Sequence, residues 1–147
     1  MKGWRSQRGS QIAEFGPALG IVLTIFVAII AVFPFFVAYI AGYTMNFFEV
    51  REAAIRAQVI GISATITNLP DVQSHLATLD QDLQNSPILK ALNMTISRPD
   101  PPFMLPNYDG TTRVIVVPSN FIWNSGIPFF GVKTLHYEGR RPVENIL

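Results

Sequence analysis

Glu14 is the residue whose position asks most of chemistry. It stands at the entrance of a 34-residue run, Phe15 to Phe48, that carries no charge and is closed by Glu49. A carboxylate at the centre of a membrane helix costs roughly 2.5–3.5 kcal/mol, and less near the interface, so Glu14 needs a partner or a neutral state. Ser10 lies four residues earlier, one helical turn away on the same face. The rest of the chain offers little reactive chemistry. His75 and His136 are its only histidines, and neither has the neighbouring Cys, His or carboxylate spacing of a zinc site. Asp80 and Asp82 would point to different faces of a helix, which argues against a paired-carboxylate site. There is no phosphate-cradling glycine loop and no nucleophile elbow. The absence of cysteine removes disulfides, thiolate metal sites and cysteine nucleophiles, and leaves the redox compartment open. Asn93-Met94-Thr95 fits a glycosylation acceptor, a tripeptide common by chance. These residues predict a protein that is not an enzyme and has no cofactor and no metal.

The elements that must hold Glu14 follow from the distribution of charge. Lys2, Arg5 and Arg8 precede it, whereas the segment from Glu49 onward has eight basic and nine acidic residues. Neither part is basic enough for nucleic-acid binding to be the main activity. The uncharged run reads as a membrane-spanning helix, and the cationic amino-terminal segment places that end in the cytoplasm, with the 99 residues 49–147 across the membrane. Length argues against a cleavable secretory signal, although Ala38-Tyr39-Ile40-Ala41-Gly42 imitates a cleavage site. At 1.5 Å per residue the run would extend about 51 Å, well beyond a hydrocarbon core of about 30 Å. Pro17 stands near the start, where proline is tolerated; Pro34 predicts a kink or a short irregular stretch.

Beyond Phe48 the sequence Glu49-Val50-Arg51-Glu52-Ala53-Ala54-Ile55-Arg56-Ala57 continues the helix, with Glu52 and Arg56 in the favourable order, to about Thr67. Asn68-Leu69-Pro70-Asp71 opens a second helix, 71–85, with Val72, Leu76, Leu79 and Leu83 on its apolar face and Asp80, Asp82 and Gln84 toward water. The leucines are too few for a coiled coil. Ser86-Pro87 restarts a short helix through Leu92. Strands are expected at Asn93–Ser97, Arg113–Val117 and Gly131–Glu138, separated by a proline-rich loop, Arg98–Pro106, and a turn at Asp109-Gly110. Phe121, Trp123, Phe129 and Phe130 concentrate aromatic side chains, mostly as core. The fold class is α+β: a long amino-terminal transmembrane helix continuing into an extramembrane helix, then a small helical segment and a short antiparallel sheet.

Arg8-Gly9-Ser10-Gln11-Ile12-Ala13-Glu14-Phe15 resembles the processing site of type IV-like prepilins. In that family a prepilin peptidase cuts after a glycine and a glutamate stands fifth in the mature chain, as Glu14 would counting from Ser10. The Glu14-Phe15 pair is similar to the TadE-like and Flp pilins of the tight-adherence (Tad) apparatus. Arg51 to Ala57, and the stretch with Pro118, Ile127-Pro128-Phe129-Phe130-Gly131, Thr134-Leu135 and Glu144, also look like the TadE-like pattern. The resemblance implies a leader over 1–9, a transmembrane and filament-core helix over 10–48 and an extracytoplasmic α+β domain over 49–147. It implies Gly9 and Ser10 as the processing site, and Glu14 and Phe15 as assembly residues. The amino group released at Ser10 would neutralise Glu14 in its own chain or in a neighbour. Its partners would be the prepilin peptidase, other pilin subunits, the Tad inner-membrane assembly proteins and the membrane, with no nucleic acid. Gly16-Pro17 and Pro34 depart from the pattern and suit a minor pilin or pseudopilin better than a major one. The alternative is an uncleaved, single-pass signal-anchored protein with an external partner-binding domain.

Overall fold

The apolar run and the amphipathic segment after it form one helix, α1 (Trp4–Ile60). The computed structural model describes residues 4–60, 69–106, 113–126, 128 and 131–143, the side chains of residues 4–14 and 60 excepted. The helix runs through Pro17 and Pro34 without a break, so the irregular stretch expected at Pro34 does not form. One missing N–H removes a single rung, and the rungs on either side carry the helix on. The expected continuation to Thr67 and the turn at Asp109-Gly110 lie outside the described residues, as do Ile127, Phe129, Phe130 and Glu144.

Two compact units divide the chain, Met1–Phe36 and Val37–Leu147. In the first, every side chain from Phe15 to Ile30 is exposed, and the helix reaches a mean hydropathy of 2.9. An apolar surface of this kind, with no polar face, suits an apolar surrounding rather than water.

In the second unit α1 acquires a buried stripe. Ala38, Gly42, Met45, Asn46, Glu49, Val50, Ala53 and Ala57 recur at helical spacing and are buried. The mostly small residues let the helix lie close to a sheet. Two further helices follow. In α2 (Pro70–Gln84), Pro70 occupies the first turn and Asp71 complements the helix dipole. In α3 (Pro87–Ala91), the Ser86 hydroxyl accepts from the Leu89 N–H at 3.3 Å, which satisfies an otherwise orphaned donor.

Four strands make one antiparallel sheet: β1 (Met94–Ser97), β2 (Phe103–Pro106), β3 (Arg113–Asn124) and β4 (Val132–Val143). Central β3 pairs along its whole length with β4, from Arg113↔Val143 to Asn124↔Val132. On its other side β2 and β1 lie end to end, Phe103↔Val116 to Pro106↔Arg113 and Met94↔Trp123 to Ser97↔Asn120. The expected loop Arg98–Pro106 therefore contains a strand, because Met104 can be buried by pairing opposite Ile115.

β3 also runs past Val117, through Pro118, and β4 past Glu138, through Pro142. Residues 117–119 lack a partner on the β1/β2 side. Arg98 Nη1 donates to the Pro118 carbonyl on that side at 3.1 Å. The nitrogen and carbonyl of a strand residue point the same way, so the missing N–H of Pro118 falls in the gap. By the same alternation the Pro142 nitrogen faces the free edge of β4.

Alternate β3 residues, Ile115, Val117, Ser119, Phe121 and Trp123, are buried on the helix side. Val50, Ala53, Ala54 and Ala57 of α1 meet Leu69, Val72 and Leu76, and Met104, Ile115, Val117 and Val143 of the sheet, in one core. Helix and sheet approach closely at Gly139, where an added Cβ would collide with Val50 Cγ2. At Gly42 an added Cβ would lie 2.8 Å from Tyr137 Cε2. Gln84, expected to face water, instead seals the outer edge of β1. Its side chain accepts from Ile96 N–H at 2.8 Å and donates to the Met94 carbonyl at 3.2 Å.

Candidate functional site

The sequence-derived residues Gly9, Ser10, Glu14 and Phe15 all fall on α1 in the first unit. Ser10 and Glu14 are one turn apart on that helix. Phe15 is 67% exposed; the side chains of the other three are outside the described residues. Gly9 is the weakest helix former beside the junction with Ser10.

A different constellation closes the second unit. Glu49, the first charge after the uncharged run, is 0% exposed. The Ser119 hydroxyl and Asn46 Nδ2 both donate to its Oε2. Asn46 Nδ2 also reaches Ser119 Oγ at 3.1 Å and the Val117 carbonyl at 3.2 Å. Arg98, just past the end of β1, holds Asp80 of α2 through Nε–Oδ2 at 3.1 Å and Nη2–Oδ1 at 2.7 Å. Its Nη1 donates to the Pro118 carbonyl and to Ser119 Oγ. Nη2 stands 3.1 Å from Glu49 Oε1 without the alignment of a hydrogen bond. Oε1 is thereby left without such a bond, alone among the buried side-chain polar atoms described.

The sequence expectation for Asp80 is corrected here: it does not face water but is largely covered, 19% exposed at the side chain, because Arg98 reaches across to it. The cluster ties α1, α2 and the sheet together with a single guanidinium shared by two carboxylates. Burial pushes the Glu49 carboxyl up from 4.5 to about 7; Arg98 and the Ser119 hydroxyl pull it down, and Asp80 adds to the rise. Burial wins because taking a carboxylate out of water costs several kcal/mol, more than an imperfectly aligned ion pair returns.

Chemically the arrangement is that of a latch, two carboxylates of α1 and α2 held by one guanidinium. Among the described residues no group of three His, Cys, Asp or Glu side chains could hold a metal ion. The two carboxylates that do approach each other already share a cation. His75 Nε2 lies 3.8 Å from Glu52 on the surface, and His136 Nδ1 bonds Asn120 Oδ1 at 2.7 Å across β3 and β4. Sequence reading missed Asn46, Glu49, Asp80, Arg98 and Ser119 as a group. The one legible signal was Glu49 itself, the acid that ends the uncharged run. Compared with known protein families, with curated proteins and with solved structures, the chain matches none.

Proposed function

We propose that the chain is the precursor of a TadE-like minor pilin or pseudopilin, a structural or assembly component of a bacterial Tad-type pilus or related secretion filament. It sits in the inner membrane by a single span, amino terminus in the cytoplasm and residues beyond the span outside it. A prepilin peptidase removes the leader after Gly9, and the amino group freed on Ser10 neutralises Glu14. The observation that carries this reading is the order of the amino-terminal residues: three cations, then Gly9, then Glu14-Phe15 directly against the apolar helix.

A second observation supports it. The 22 residues Phe15–Phe36 would extend about 33 Å as a helix, close to the thickness of a hydrocarbon core. From Ala38 onward α1 carries residues buried against the rest of its own unit, which supports a span that ends near Phe36 with Glu49 outside it. The uncleaved signal-anchored alternative has one point in its favour, that the Gly9–Ser10 bond lies inside α1, where a protease must first unwind it. Replacement of Glu14 separates the roles. E14A is expected to lose its leader normally yet to enter filaments poorly, measured by immunoblotting sheared surface material against whole cells. Normal incorporation would remove the assembly role.

A further inference from the structure

Beside the free edge of β4, α1 and the strand enclose a groove of about 300 Å³, with Tyr43, Phe47 and Val50 on the helix side and Tyr137, Arg140 and Arg141 on the strand side. Its two walls differ in chemistry. Tyr43 and Phe47 are exposed, and Ile40, one turn earlier on the same face, is exposed as well, so the helix wall is an uncovered aromatic and aliphatic surface. On the strand wall Arg140 is held by Glu138, its Nε and Nη2 donating to Oε1 at 2.9 and 2.6 Å. Arg141, the next residue, points to the opposite face of the strand, is half-buried against the groove, and has no ion pair among the described residues. A guanidinium partly withdrawn from water and lacking an anion favours one from outside. Arg51, one turn beyond Phe47 on the same helix face, is exposed and also unpaired among the described residues.

We propose that this groove binds an anionic phospholipid, with Arg141 on the phosphate and the Ile40–Tyr43–Phe47 face against the upper acyl chain. The inference rests on the membrane-anchored reading above. It is the pairing of a cation unmatched among the described residues with an uncovered apolar wall that selects a lipid over a free phosphate. Aromatic side chains just past the end of a span also belong at headgroup depth, where an amphipathic ring has one wet and one apolar side. The bound lipid would seat the outer unit on the membrane surface before assembly.

The test uses the full chain in detergent micelles, with native mass spectrometry after addition of phosphatidylglycerol or of phosphatidylcholine with the same acyl chains. Phosphatidylglycerol is expected to be retained preferentially, with R141Q lowering its retention about tenfold, the loss of one charge-assisted contact. R141K should keep part of the binding, and K90Q on α3 should leave it unchanged. Equal retention of the two lipids, or of phosphatidylglycerol by R141Q and the unmodified protein, would overturn the proposal. Displacement of phosphatidylglycerol by millimolar inorganic phosphate would overturn the lipid as ligand and assign the site to a free anion. A chain recovered in the aqueous phase without detergent removes the membrane reading itself; one that partitions into membranes without headgroup preference removes only the groove.

Discussion

Replacing Glu49 by its neutral isostere tests the latch between α1 and the sheet. In the folded protein burial raises this carboxyl from 4.5 to about 7, so the folded state binds a proton more tightly than the unfolded chain. The contribution to stability is therefore complete below about pH 4.5 and is lost as pH rises through about 7. At 1.36 kcal/mol for each tenfold change in proton affinity, the loss across that window is roughly 3 kcal/mol. Because Glu49 is 0% exposed, solvent screening does little to reduce it. E49Q keeps the shape and a hydrogen-bonding group for Ser119 but has no proton to exchange. Urea unfolding of the full chain in detergent, followed through the buried Trp123, should show the unmodified protein losing stability between pH 5 and 8, while E49Q stays nearly flat. The variant should be the more stable of the two at pH 8. An unchanged slope in E49Q, or an unmodified protein that gains stability as pH rises over this range, would refute the assignment of a buried, protonatable Glu49.

Other perturbations read the same packing. G139A should cost about 1–3 kcal/mol by overpacking, since its methyl would collide with Val50; V50A in the same chain should return part of the loss, a coupling that a double-mutant cycle in urea measures. R98A should destabilise by about 3–5 kcal/mol, because it strands Glu49 and Asp80 together and frees the Pro118 carbonyl; a change under about 1 kcal/mol would mean that the ion cluster is not buried in solution.

What the sequence disclosed is what local signals control. Pro70 and Ser86-Pro87 started α2 and α3 where expected, to within a residue, because a proline in the first turn and a serine cap act without tertiary help. The first strand was legible too. Parts of β3 and β4 were legible as well, and proline hid β2 and the far half of β3. Phe103–Pro106 looked like a loop because its pairing partner, β3, lies beyond it in the chain, and Val117 looked like a strand end because a sequence does not show that the side of the strand facing Pro118 has no neighbour; nothing local marked the run of β4 beyond Glu138. The latch was hidden for a related reason. Asp80 read as a solvent-facing helix residue, and only the path of the chain after β1 brings Arg98 to it. Gly42 and Gly139 carry no signal until the helix is known to cross the strand there. The processing residues stand in the opposite position: Gly9, Ser10, Glu14 and Phe15 owe their reading entirely to order along the chain.

That order is tested most directly at the amino terminus. The protein should be recovered from cells that contain a prepilin peptidase and from cells that lack it, and its first residues sequenced in both. The account predicts Ser10 as the first residue when the peptidase is present and Met1 when it is absent. An intact Met1–Gly9 segment in both would contradict it.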